Sequence, residues 1–175
     1  RYDDDCGSNK GSVYAFRTSD DGITYNQVAK LKTADAAADN FGRAVAITGG
    51  LVAIGAGTTG AGGAVYLFRT SAGATYDEVA KLTASDAASS DYFGRHVAID
   101  GDTVLVGAYF ENNRRGAVYV YRTTDNWDTH TETKLTASDA AEGDYFGWSV
   151  AIAGGTIVVG AYAKNDDTGA AYVYR

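Results

Sequence analysis

The sequence predicts an all-β protein, a β-propeller or an arc of one, built from four-stranded antiparallel blades in about three repeats. Three observations carry that expectation. The run Phe93-Gly94-Arg95-His96-Val97-Ala98-Ile99, continuing through Val104-Leu105-Val106-Gly107-Ala108, has counterparts that open at Phe41-Gly42 and Phe146-Gly147, a period of 52 and then 53 residues. Composition is the second: 22 Gly and 13 Tyr with no Pro and no Met favour strands and tight turns over long helices. The third is unit size, since four short strands in about 50 residues match a propeller blade, whereas solenoid coils run roughly 20–30.

Residues 1–10 are polar and match the later acidic loop Lys164-Asn165-Asp166-Asp167, so they read as the end of a partial repeat. Gly11-Ser12-Val13-Tyr14-Ala15-Phe16-Arg17 begins an element echoed at 63–69, 116–122 and 169–175. Within it Val65-Tyr66-Leu67-Phe68 is apolar at every position, which predicts a strand covered on both faces. A polar hairpin follows at 18–24, 70–75 and 123–131, the last containing Trp127 and His130. Another strand comes next, at 27–31, 78–82 and 132–135. Small polar segments such as Thr83-Ala84-Ser85-Asp86-Ala87-Ala88 lead to each Phe-Gly, with Ser and Asp placed to cap a turn. Beyond each Phe-Gly, two β-prone runs flank Thr48-Gly49-Gly50, Asp100-Gly101-Asp102 or Ala153-Gly154-Gly155, the turn chemistry of a tight hairpin. The blades expected are 1–40 (partial), 41–92, 93–145 and 146–175 (partial).

The stretch from Asp91-Tyr92-Phe93-Gly94 to Val106-Gly107-Ala108, with Lys81-Leu82-Thr83-Ala84-Ser85-Asp86 before it and Gly116-Ala117-Val118-Tyr119-Val120-Tyr121 after it, resembles the FG-GAP repeat, the blade motif of integrin α-chain propellers. The resemblance covers essentially the whole chain. It implies that the Phe-Gly strand is innermost. It also implies a ligand-binding rim formed by the loops at 57–62, 109–115 and 162–168 together with the turns before each Phe-Gly. Two departures stand out. The final Pro of the motif is Gly57, Tyr109 or Tyr162, and the acidic calcium loop of the integrin type has shrunk to the tight turns above. A turn that short cannot gather the 6–8 oxygens that calcium requires, so no cofactor is expected and family calcium is not carried over.

Several classes are excluded. A net charge of −7 argues against a nucleic-acid partner, and no apolar run approaches the roughly 18 residues of a membrane helix. Cys6, the one cysteine, has no intrachain partner and reads as a loop thiol, with a bridge to another chain as the alternative. The paired acids Asp35/Asp39, Asp86/Asp91 and Asp139/Asp144 recur, so turn capping is favoured over a weak cation site, for which Asp86, Asp91, Asp139 and Asp144 are the candidates. The recurring Arg17, Arg69 and Arg122, with Lys30, Lys81 and Lys134, read as blade-edge ion pairs. His96 and His130 are the only histidines and have no clustered partner. No nucleophile elbow, phosphate loop or zinc spacing occurs, so catalysis has no carrier.

Residues that break the repeat while facing solvent are the better binding candidates: Tyr109, Phe110, Glu111, Asn112, Asn113, Arg114 and Arg115 on one loop, Tyr162, Lys164, Asn165, Asp166 and Asp167 on the next. The expected function is a non-catalytic adhesion or assembly module, extracellular or at the cell surface, that offers this rim to a protein. A glycan is the second partner class, because aromatics beside Asn and Asp suit a sugar. An accessory domain of a larger secreted hydrolase is the third reading. A chain opening on Arg1 reads as a processed or excised piece, and thirteen strands fall short of a closed ring of at least 16. More of the same propeller, or a second subunit, is therefore expected to cover its ends.

Overall fold

Strand pairing explains the repeat. The computed structural model describes residues 11–35, 40–57, 62–71 and 75–175, which leaves Cys6, Asp39, Ala72 and most of the 57–62 loop outside the described residues. Thirteen strands are found there: β1 (Val13–Arg17), β2 (Asn26–Leu31), β3 (Phe41–Thr48), β4 (Leu51–Ala56), β5 (Ala64–Ser71), β6 (Thr75–Leu82), β7 (His96–Asp100), β8 (Thr103–Ala108), β9 (Ala117–Arg122), β10 (Thr131–Leu135), β11 (Phe146–Ala153), β12 (Thr156–Ala161) and β13 (Ala170–Tyr174). They form antiparallel meanders, β1-β2, β3-β4-β5-β6, β7-β8-β9-β10 and β11-β12-β13. Short helical turns, α1 (Glu111–Arg114) and α2 (Lys164–Asp167), sit between the second and third strands of the last two sheets.

The register follows from the turns. Thr48 pairs with Leu51, Asp100 with Thr103 and Ala153 with Thr156, so each inner hairpin has a two-residue loop. Gly49, Gly101 and Gly154 sit at φ between 54° and 56°, a left-handed conformation that glycine adopts most readily.

The sheets stack face to face as an arc of a β-propeller. Leu51, Ala53, Val65 and Leu67 of one sheet meet Val104, Val106, Tyr119 and Tyr121 of the next. On the opposite faces, Ile54, Tyr66 and Phe68 meet Val13 and Leu31, while Leu105, Val118 and Val120 meet Phe146, Val159 and Tyr172. Strands β5 and β9 are thus sandwiched, and Val65, Tyr66 and Leu67 are fully buried as their unbroken apolar pattern requires. Each such side chain contributes about 1.5–3 kcal/mol. In the end sheets the same positions alternate: Phe16 and Val173 are each more than half exposed.

Junctions between sheets explain the motif. The Phe146 amide donates to the Arg115 carbonyl and the Phe93 amide to the Gly62 carbonyl, both at 3.1 Å. The Phe-Gly corner of one sheet therefore sits on the preceding sheet, and strand β7 packs against both β3 and β11, which makes these the inner strands. A methyl at Gly107 would overlap the carbonyl oxygen of Gly147, and one at Gly55 that of Gly94. The Gly of Gly-Ala is a floor for the next Phe-Gly, not a source of flexibility.

Candidate binding rim

The residue before each Phe-Gly is left-handed: Asn40 at φ 58°, Tyr92 at 58° and Tyr145 at 56°. Its carbonyl accepts a hydrogen bond from the amide three residues on, Arg43, Arg95 or Trp148, at 3.1–3.2 Å. Asn tolerates this conformation, whereas a bulky Tyr is strained there by roughly 1–3 kcal/mol. The turn places residues one and four side by side on the rim. Ring contacts offset the strain: Tyr92 stacks on Tyr109 with centroids 5.7 Å apart and planes 9° from parallel, and the Arg95 guanidinium lies 5.0 Å above the Tyr92 ring. Tyr145 stacks in the same way on Tyr162, at 5.2 Å.

These pairs merge into one aromatic cluster across two sheets. Trp148 lies 4.7 Å from Tyr109 and 4.5 Å from Tyr162, and Phe110 sits 4.7 Å from Tyr92 and 5.5 Å from Tyr145. His96 packs 5.8 Å from Trp148. Burial, then the charges of Arg95 and Arg43, lower its pKa, so it is neutral at neutral pH. Trp148 and Tyr162 reach solvent, 37% and 47% exposed.

Two of the expected binding residues do not face solvent. Tyr109 is 2% exposed because Tyr145 and Trp148 of the next sheet cover it. Lys164 is 6% exposed; its Nζ donates to Asp144 at 2.8 Å and to the Asp139 carbonyl at 2.5 Å, so it ties its turn to the sheet. Glu111 is held by Lys134 at 3.0 Å, and Phe110 lies within the cluster with Arg114 5.5 Å above its ring. The Arg115 carbonyl serves the Phe146 junction. Asn112, Asn113, Arg114, Asn165, Asp166 and Asp167 are exposed, and all six have positive φ.

Arg43, Tyr92, Arg95, His96, Tyr145 and Trp148 escape sequence reasoning as site residues. The signal was the pair of Tyr residues before Phe-Gly where the first copy has Asn40.

The recurring acids divide into two structural roles. Asp91 accepts from the Ala88 amide at 2.8 Å and Asp144 from the Ala141 amide at 2.7 Å, each capping its turn. Asp35, Asp86 and Asp139 accept from the hydroxyls of Tyr66, Tyr119 and Tyr172 at 2.6–2.8 Å, fastening each inter-sheet loop to the following sheet. Burial and then its Asp139 bond push the Tyr172 pKa up to about 12. Lys81 and Lys134 pair with Asp35 and Asp86, whereas Arg17, Arg69 and Arg122 form no ion pair among the described residues. Calcium does not fit the tight turns either: the Asp100 carboxylate accepts from the Gly154 amide at 2.8 Å, and two loop residues supply no shell of oxygens.

The opposite rim is built on Thr-Asp-Thr cages. Asp20 accepts from Thr18 and Thr24, and Asp125 from Thr123 and Thr129. The Thr24 and Thr129 hydroxyls, followed by their amides, lower both carboxyls to about 2. Trp127 is buried there, 6.3 Å from His130.

No curated protein matches the chain. The model of the FG-GAP repeat family matches residues 25–68, 76–121 and 129–174. Each match runs from the last strand of one sheet through the third strand of the next, so it spans the Phe-Gly junction described above. With three matches covering most of its length, each centred on a junction whose glycines and phenylalanine meet in the structure, the chain belongs to the FG-GAP repeat family.

Proposed function

We propose that the chain is an extracellular or cell-surface adhesion or assembly module that binds a protein through the rim bearing α1, α2 and the turns before Phe-Gly. FG-GAP repeats typically form protein-binding propeller modules and are generally non-catalytic. The observation that carries the reading is the aromatic cluster that spans two sheets on this rim, in which Trp148 touches Tyr109 and Tyr162 and Phe110 touches Tyr92 and Tyr145. Rigid aromatics of this kind act as interface anchors, because little side-chain entropy is lost when they are covered. The strained Tyr92 and Tyr145 backbones support it too, since such strain clusters at functional sites. The module carries no catalysis of its own in this reading.

Glycan binding is the second reading, favoured by the Tyr145 and Tyr162 rings beside exposed Asn165 and Asp166 in one cavity. The test immobilises the chain, captures proteins from its native source, and runs a glycan array in parallel. Protein capture that disappears in the Trp148→Ala and Tyr162→Ala variants is expected. Capture that survives both substitutions, or array binding without protein capture, would count against the protein reading.

A further inference from the structure

We propose that the arginine-flanked centre of this rim, Arg43 and Arg95 around His96 and Tyr109 with Arg114 over the Phe110 ring, binds carboxylate side chains of an acidic peptide segment in the partner. The inference rests on the protein-binding reading and gives that partner a chemistry.

Charge distribution supports it first. The chain carries a net charge of −7, yet the charges of Arg95 and Arg43 both bear on His96 and Tyr109 at the centre of the cluster. Three acids of the same rim are engaged elsewhere: Glu111 by Lys134, Asp144 by Lys164 and Asp91 by the Ala88 amide. Among the described residues Arg43, Arg95, Arg114 and Arg115 have no ion-pair partner. At physiological salt charges beyond about 8 Å are largely screened, so the local excess of guanidinium outweighs the net charge.

Geometry supports it second. Arg95 lies over the Tyr92 and Tyr109 rings, at 5.0 and 5.8 Å, and Arg114 lies over Phe110. Stacked guanidiniums keep their donors at the edge, aligned for a bidentate carboxylate, with part of the ordering entropy already lost. The same contacts occupy faces of the Tyr92 and Phe110 rings, which favours a peptide over a sugar at this end of the rim. At the far end of the rim, Glu142, Asp166 and Asp167 are exposed and would repel an acidic segment, so the segment is directed toward Arg43.

The experiment uses the chain as it stands with a labelled poly-glutamate peptide, read by fluorescence anisotropy at low and physiological salt. Poly-glutamine and a polyuronate serve as comparison ligands. Expected results are binding of poly-glutamate but not poly-glutamine, weakening with salt, and a roughly tenfold loss for Arg43→Glu. Arg43 is exposed, so that variant leaves the core intact; Arg95→Lys, which keeps charge but loses the fork, is expected to lose several-fold. No binding at low salt, or binding unaffected by both variants, would overturn the proposal. Tighter binding of the polyuronate would assign the site to acidic glycans and overturn it as well. Protein capture at the rim that ignores salt and Arg43 would sink this inference while leaving the protein-binding reading intact. Poly-glutamate binding without any protein capture would do the reverse.

Discussion

The turns α1 and α2 occupy the same place in successive repeats and share one backbone. Asn112 and Asn113 have φ of 49° and 57°, Asn165 and Asp166 of 53° and 56°, and each turn closes by a hydrogen bond from Gly116 to Glu111 or from Gly169 to Lys164, at 3.0 and 2.9 Å. Their side chains are wired in opposite senses. Glu111 reaches out to Lys134, which also holds Asp86, while the equivalent Lys164 turns inward to Asp144. The tyrosines that precede them differ as well: Tyr109 is buried under the next sheet, and Tyr162 is half exposed. The repeat sets the backbone, and the neighbouring sheet decides what each rim position presents.

The comparison breaks hardest at its glycine floor. Gly107→Ala drives a methyl into the Gly147 carbonyl, a backbone atom that cannot move alone, and should cost about 2–3 kcal/mol in urea unfolding. Gly160→Ala meets only the Ser149 hydroxyl, which can rotate away, and should cost less than about 1 kcal/mol. Equal losses would mean that the Phe-Gly junction does not hold the sheets together.

The ion pairs give a smaller contrast. Lys164→Met leaves the buried Asp144 carboxylate without its cation, so its urea midpoint should fall clearly. Glu111→Gln removes one arm of a solvent-accessible pair and should stay within about 1 kcal/mol of the parent. A reversed order would contradict the two wirings.

Acid gives the smallest effect and tests the opposite rim. Folded Asp20 and Asp125 titrate at about 2 instead of the ordinary 3.8. Their contribution is therefore complete above the ordinary value and is lost as pH falls from there toward 2. Replacing Thr24 and Thr129 by Val should flatten stability over that window, measured by thermal melts between pH 4 and 2. An unchanged slope would show that the cages do not hold these carboxylates.

Much of the fold was legible because its signals are local and repeated. The unbroken apolar run at Val65-Tyr66-Leu67-Phe68 reports two covered faces, and the glycines at 49, 101 and 154 report tight hairpins. The site was less legible. Arg95 and Trp148 occupy a position that reads as strand, and Tyr92 and Tyr145 one that reads as loop; only the turn around Phe-Gly brings them together. Tyr109 reads as a solvent-facing break in the repeat because the sheet that covers it lies some 40 residues on. Lys164 reads as one more charge in a polar loop. Its place opposite Glu111 in the aligned copies was the available hint, since a reversed charge at a repeated position implies a different partner.

Residue-resolved hydroxyl-radical footprinting tests most directly whether the neighbouring sheet decides exposure at equivalent rim positions. Tyr162 and Trp148 should be oxidised readily while Tyr109 and Tyr119 are spared, following their exposure of 47%, 37%, 2% and 1%. Tyr109 reacting as fast as Tyr162 would contradict the account.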